Sequence, residues 1–112
     1  MYRLTKEEIG VEVFCVLTTH AHADHCGGHY WLRKKGVKIC APSYEEAGIK
    51  YPILSPLAIY GGAYPPDYFQ NKFLKAIETE VDHILITKKQ DFLGFEIDVI
   101  FLRGHTEGQI GI

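Results

Sequence analysis

The feature that most restricts how this chain can fold is a change of character near residue 18. An apolar, β-branched stretch, Val11-Glu12-Val13-Phe14-Cys15-Val16-Leu17, gives way after two threonines to His20-Ala21-His22-Ala23-Asp24-His25 and then to Cys26-Gly27-Gly28. Near-continuous apolar character predicts a strand covered on both faces over 11–17. The four side chains that follow, His20, His22, Asp24 and His25, can each bind a metal ion. A buried strand that delivers such a cluster at its carboxyl end suits an α/β sheet, because ligands gather beyond the ends of its strands.

The rest of the chain supports mixed helix and strand. Thr5-Lys6-Glu7-Glu8 fits a capping box, so a short helix is expected near the start, ended by Gly10. Residues 27–35 read as an amphipathic helix with basic residues at its C-terminal end and Gly36 as its stop, and Tyr30 and Trp31 are expected to pack between helix and sheet. A second buried strand is predicted over 37–41, and Pro42-Ser43 opens another helix. Residues 49–66 hold four prolines, a glycine pair and three tyrosines, which predicts a long, turn-rich connection. A helix is expected over 67–77, then strands over 83–87 and 95–102 joined by a polar turn. In the second of these, Phe95, Ile97 and Val99 alternate with Glu96 and Asp98. Gly104-His105-Thr106-Glu107-Gly108 breaks that pattern, and a last strand begins at Gln109.

Spacing gives the cluster its chemistry. Alternate residues of an extended segment point the same way, so His20 and His22 can share one metal ion. Asp24 and His25 fall where the chain turns into the next helix, where they can face a second ion or hold the water of the first. Two ions about 3.5–4 Å apart form a common hydrolytic arrangement. His105 sits at the end of the 95–102 strand between two glycines. If the two strands end side by side, His105 joins His20 and His22, and three imidazoles plus water make a standard catalytic zinc shell.

Composition excludes several classes. A formal net charge of -2 over 112 residues offers no basic face for nucleic acid or acidic membrane. Three cysteines without a Cys-x-x-Cys spacing do not make a disulfide framework. No apolar run is long enough to span a bilayer, and the N-terminus lacks the apolar segment of a signal peptide, so a cytoplasmic, reduced protein is expected. The expected partner is a small-molecule substrate.

The run Thr19-His20-Ala21-His22-Ala23-Asp24-His25-Cys26-Gly27-Gly28 resembles the signature of the metallo-beta-lactamase superfamily. Gly104-His105-Thr106-Glu107-Gly108 resembles its second motif, usually Gly-His-Thr-Pro-Gly, with Glu107 in place of proline. The resemblance implies an α/β (α+β) fold, part of a four-layer αββα sandwich, with residues 1–112 as a single partial domain. It implies that His20, His22 and His105 bind a first metal ion and that Asp24 and His25 bind a second. Asp24 would also be catalytic, orienting a metal-bound hydroxide that attacks an ester, thioester, lactam or phosphodiester bond. Zn2+, two per complete site, is the expected cofactor, with iron or manganese as alternatives, and a glyoxalase II-like branch of the family is one candidate. The family also has strands upstream and an aspartate and a histidine downstream that this stretch does not supply. Self-association through uncovered faces, weak metal binding and little activity of the chain alone are therefore expected.

Two other functions are carried beside the hydrolase. One is a mononuclear iron oxidoreductase of the same fold acting on a persulfide. The other is an inactive, truncated metal-binding fragment. Among the remaining residues, His29, four residues after His25, could face the site but is expected to be an ordinary helix residue, and His83 structural or exposed. Cys26 is expected as a small packing residue, and Cys15 and Cys40 as core. Residues 59–66 could line a pocket or pack as a surface loop.

Overall fold

The structure, a computed structural model, describes residues 7–112. The helix expected at 5–8 lies largely outside that range. Three parallel strands form the central sheet: β1 (Cys15–Leu17), β2 (Lys38–Pro42) and β3 (His83–Leu85), in the order β1-β2-β3. Cys15 pairs with Lys38 and Leu17 with Cys40, while Cys40 pairs with His83 and Pro42 with Leu85. Helices α1 (Ala23–Cys26) and α2 (His29–Lys34) fill the first crossover, and α3 (Ser43–Lys50) and α4 (Leu54–Ile59) lie in the second. Two antiparallel hairpins follow: β4 (Lys89–Phe92) with β5 (Phe95–Asp98), and β6 (Ile100–Phe101) with β7 (Ile110–Gly111).

The core divides at β2 because neighbouring residues of a strand face opposite sides. Cys40 joins Leu85, Phe92, Val99 and Ile110, with Cys15, Leu17 and Ile97 packed against them, so this side of the sheet is covered by the hairpins. Ala41 joins Ala21, Cys26 and Ile49 on the helical side. A helical layer, a parallel sheet and a layer of hairpins thus succeed one another. One further tie fixes the sheet to a helix. Asp82 accepts the Ile39 N–H at 3.0 Å and pairs with Arg33 of α2 at 3.2 Å and with Lys38 at 3.6 Å.

Several elements differ from their sequence expectation. The strand expected over 11–17 is paired only at 15–17, and it is not covered on both faces. β1 is an edge strand among the described residues, and Phe14 is 61% exposed. Phe14, Leu17, Phe92, Leu93, Phe95 and Ile97 line an open apolar groove of about 510 Å³ beside it. The helix expected over 27–35 starts at His29, because a separate turn, α1, takes up Asp24 and His25. Trp31 does not pack on the sheet. It is 58% exposed, with the Tyr30 ring edge-on to it and the Lys34 ammonium over its face.

Helix α4 forms inside the proline-rich stretch, since Pro56 falls in its first turn, where no N–H is needed. Conversely, the helix expected over 67–77 is only a 3-10 turn, Asp67–Gln70. The Asn71 side chain then bonds the Tyr68 carbonyl and the Phe73 N–H, competing with helical pairing. The 95–102 strand is two strands. It changes partner from β4 to β7 at buried Val99, so β4, not β3, pairs with Phe95–Asp98.

Ile39, fully buried in the middle strand, and Ile100, half exposed on a hairpin, separate core from surface. Ile39→Ala is expected to lower unfolding free energy by about 2–5 kcal/mol. Ile100→Ala should change it far less, within about 1 kcal/mol. Urea denaturation of both variants checks the contrast.

Candidate metal centre

β1 ends at Leu17, and Thr18 extends its pairing by donating to the Cys40 carbonyl at 2.8 Å. The chain then leaves the sheet at its carboxyl end, and residues 20–22 form the loop before α1. His20 is only 3% exposed. Its Nδ1 shares a 3.1 Å hydrogen bond with the Thr19 hydroxyl, while its Nε2 is buried without a hydrogen-bond partner among the described residues. When Nδ1–H donates to the hydroxyl, the lone pair of Nε2 is left for a cation. Burial, followed by the neighbouring His25, His22 and His105, holds His20 below the usual histidine pKa and so in the neutral, ligating form.

His105 arrives from the other side of the molecule. It lies in the loop between β6 and β7, and that hairpin is anchored where the Ile110 N–H donates to the Thr19 carbonyl at 3.1 Å. The expected meeting of two strand ends is therefore corrected. β1 and β6 lie in different sheets, and β7 carries the contact. His22 Nδ1 and His105 Nε2 stand 2.9 Å apart. One ring nitrogen from each of His20, His22 and His105 lies within 4.8 Å of the others. The His20 ring meets those of His22 and His105 edge-on, at 4.9 and 4.8 Å. Two imidazole nitrogens at contact distance beside a buried, partnerless third form a donor set that fits a divalent cation.

Asp24 and His25 sit on α1, exposed, and pair with each other at 3.5 Å. The His25 ring lies 4.1 Å from that of His20, so it borders the cluster. Neither residue belongs to the three-nitrogen group.

Glu45 holds the two histidine loops together. It lies on α3, 6% exposed. Its Oε2 accepts the Ala21 N–H at 2.8 Å, between His20 and His22. Its Oε1 accepts the Thr106 hydroxyl at 2.7 Å and the Gly108 N–H at 3.0 Å, on the loop that carries His105. Two glycines permit the approach. A Cβ on Gly108 would come within 2.7 Å of the Glu45 carboxylate, and one on Gly48 within 2.7 Å of the Ala21 methyl.

The family model of the metallo-beta-lactamase superfamily matches residues 8–112. The chain belongs to the metallo-beta-lactamase superfamily. Solved structures agree in fold. The subclass B3 metallo-beta-lactamase of Bradyrhizobium japonicum is 19% identical, with a TM-score of 0.70 over 94% of this chain and 38% of its own. The beta-lactamase of Chitinophaga pinensis is also 19% identical, with a TM-score of 0.71 over 96% of this chain and 39% of its own. A metallo-beta-lactamase of Cronobacter sakazakii is 21% identical, with a TM-score of 0.66 over 96% and 39%. The chain thus spans about two fifths of the length of these structures. No curated protein matches it.

Within this metallo-beta-lactamase fold, two residues escaped the sequence reading. Glu45 stands beside Glu46 at the start of α3, where acidic residues ordinarily face water and favour the helix dipole, so nothing local marked it as buried. His29 is not an ordinary helix residue. It is 2% exposed, shares a 3.3 Å hydrogen bond with the Thr18 hydroxyl, and its Nδ1 has no hydrogen-bond partner among the described residues. Its placement four residues after His25 was the available signal. Cys26 is the packing residue expected, its thiol bonded to the Ala21 carbonyl at 3.2 Å and pushed up to about 11 by burial. Residues 59–66 contact the following turn, with Tyr60 against Phe69 and the Pro65 carbonyl held by Gln70, and Tyr64 is exposed.

Burial pushes His29 down from 6.5 to about 4. Between these values the unfolded chain binds a proton at residue 29 that the folded chain excludes. The stability associated with neutral His29 is therefore complete above pH 6.5 and is lost as pH falls toward 4. The loss should reach about 3 kcal/mol. Urea melts across this range should show a shallower pH slope in His29→Gln than in the parent protein.

Proposed function

We propose that this chain contributes the first metal position of a metal-dependent hydrolase acting on a small molecule. The observation that carries the proposal is the buried, partnerless Nε2 of His20 beside the converging nitrogens of His22 and His105. His20, His22 and His105 would hold the ion, with zinc the first choice for three neutral imidazoles and iron or manganese as alternatives. A bound divalent cation supplies an activated water at neutral pH and polarises the bond to be cleaved.

The protein's own groups do the rest. The Thr19 hydroxyl can accept from His20 Nδ1–H, which would leave Nε2 for the ion, and burial keeps that ring neutral. Asp24, on α1 next to His25, would orient the attacking water by accepting its hydrogen bond. Asp24 with His25 would border a second ion. An ester, thioester, lactam or phosphodiester bond suits this chemistry, and a glyoxalase II-like thioesterase is one form of it. The free thiols of Cys15, Cys26 and Cys40 suit a reducing, cytoplasmic setting.

A second reading rests on a specific observation. The three-histidine group is complete while Asp24 and His25 pair with each other, which suits a single ion. A mononuclear iron oxidoreductase acting on a persulfide is consistent with that arrangement. Metal content per chain, by elemental analysis of the parent protein and of His22→Ala and His105→Ala, separates the cases. Zinc bound by the parent and lost from both variants, with turnover of a thioester, ester, lactam or phosphodiester, supports the hydrolase. One iron with persulfide oxidation supports the second reading. Equal metal content in parent and variants would sink both.

A further inference from the structure

We infer that Glu45 is a positioning residue for the metal centre. Its carboxylate sets the distance between the His20–His22 loop and the His105 loop, and with it the affinity of the three-histidine site. The inference rests on the metal-binding reading above and concerns a residue that binds no ion itself.

The geometry is specific. The two histidine segments are separated by more than 80 residues of sequence, and His22 and His105 must meet within 2.9 Å. Among the described residues, direct backbone linkage between the segments is the Ile110-to-Thr19 hydrogen bond. Nearer the rings, Glu45 takes over. Its two carboxylate oxygens receive three donors, one from the first loop and two from the second. The carboxylate is buried, so these bonds to a charged acceptor are stronger than their neutral counterparts, and breaking one leaves a donor with no replacement. Glu45 rides on α3, whose Gly48 lets the helix approach Ala21 and whose Ile49 is fully buried in the core. The clamp is therefore anchored to the rigid part of the molecule.

All three partners donate, which makes Glu45→Gln informative. A glutamine offers one acceptor oxygen and one NH2 group. If its oxygen stays with Gly108 and Thr106, the NH2 group confronts the Ala21 N–H. If it turns, the NH2 group confronts the Gly108 N–H. Either way one loop is released without a change in side-chain volume. Thr106→Val loosens only the His105 loop, and Thr106→Ser restores the hydroxyl donor.

The test combines amide hydrogen exchange of the metal-free protein with cobalt(II) titration followed by its visible absorption. In Glu45→Gln, exchange at Ala21 or at Gly108 should accelerate about tenfold or more while β2 amides stay protected. Cobalt affinity should fall about 10–100-fold, with an altered absorption band. Thr106→Val should accelerate Gly108 but not Ala21 and weaken cobalt binding, and Thr106→Ser should restore both. If Glu45→Gln does not fold, the threonine pair decides alone. Unchanged exchange and cobalt affinity in the variants overturn the inference. Accelerated exchange in the variants of a parent protein that binds no cobalt would overturn the metal-binding reading and the role of Glu45 in affinity, leaving only a structural clamp.

Discussion

The buried carboxylate of Glu45 receives three hydrogen bonds, and the arrangement of the site depends on them. An ionised carboxylate is costly to bury unless its lone pairs are met by donors, and here the Ala21 N–H, the Gly108 N–H and the Thr106 hydroxyl meet them. Those donors come from the two loops that must converge for His20, His22 and His105 to share an ion. The electrostatic demand of one acid is thus satisfied only in the geometry that the histidines require. Gly48 and Gly108 belong to the same constraint, because a methyl group at either would displace the loop against which α3 is packed.

Around this clamp, the layers have separate tasks. The parallel sheet delivers His20 and His22 at the carboxyl end of β1, and the hairpin layer delivers His105 through β7. Helix α1 carries Asp24 and His25 and sets the His25 ring beside that of His20, and α2 buries His29 under the Thr18 hydroxyl. Beside β1 the sheet edge is open, and Phe14, Leu93 and Phe95 are exposed along the apolar groove there.

The alternation of strand and helix through the first half was legible because apolar runs, a glycine stop at Gly36 and the Pro42-Ser43 start all agree locally. The reading failed where tertiary packing overrode local pattern. Val11 to Phe14 carry the signature of a buried strand, yet Val11 and Phe14 are exposed and Val13 is only partly buried, since burial depends on what lies against them. The stretch after Asp67 has helical composition, but the Asn71 side chain captures backbone groups that a helix would use. Trp31 has the size of a core residue and lies on the outward side of α2.

By itself, the sequence determined the chemistry of the site: which side chains can bind a metal ion, that they follow a strand, and, through two motifs, the superfamily. Ligand identity is a property of side-chain atoms and short spacing, so it is visible in one dimension. Only the tertiary structure decided how those side chains meet. His105 comes to His22 across two sheets, Glu45 changes from a helix-surface acid to a buried clamp, and His29 becomes a buried neutral ring. Each of these depends on contacts between distant segments, and a pattern within a few residues cannot encode which distant donor an acid will find.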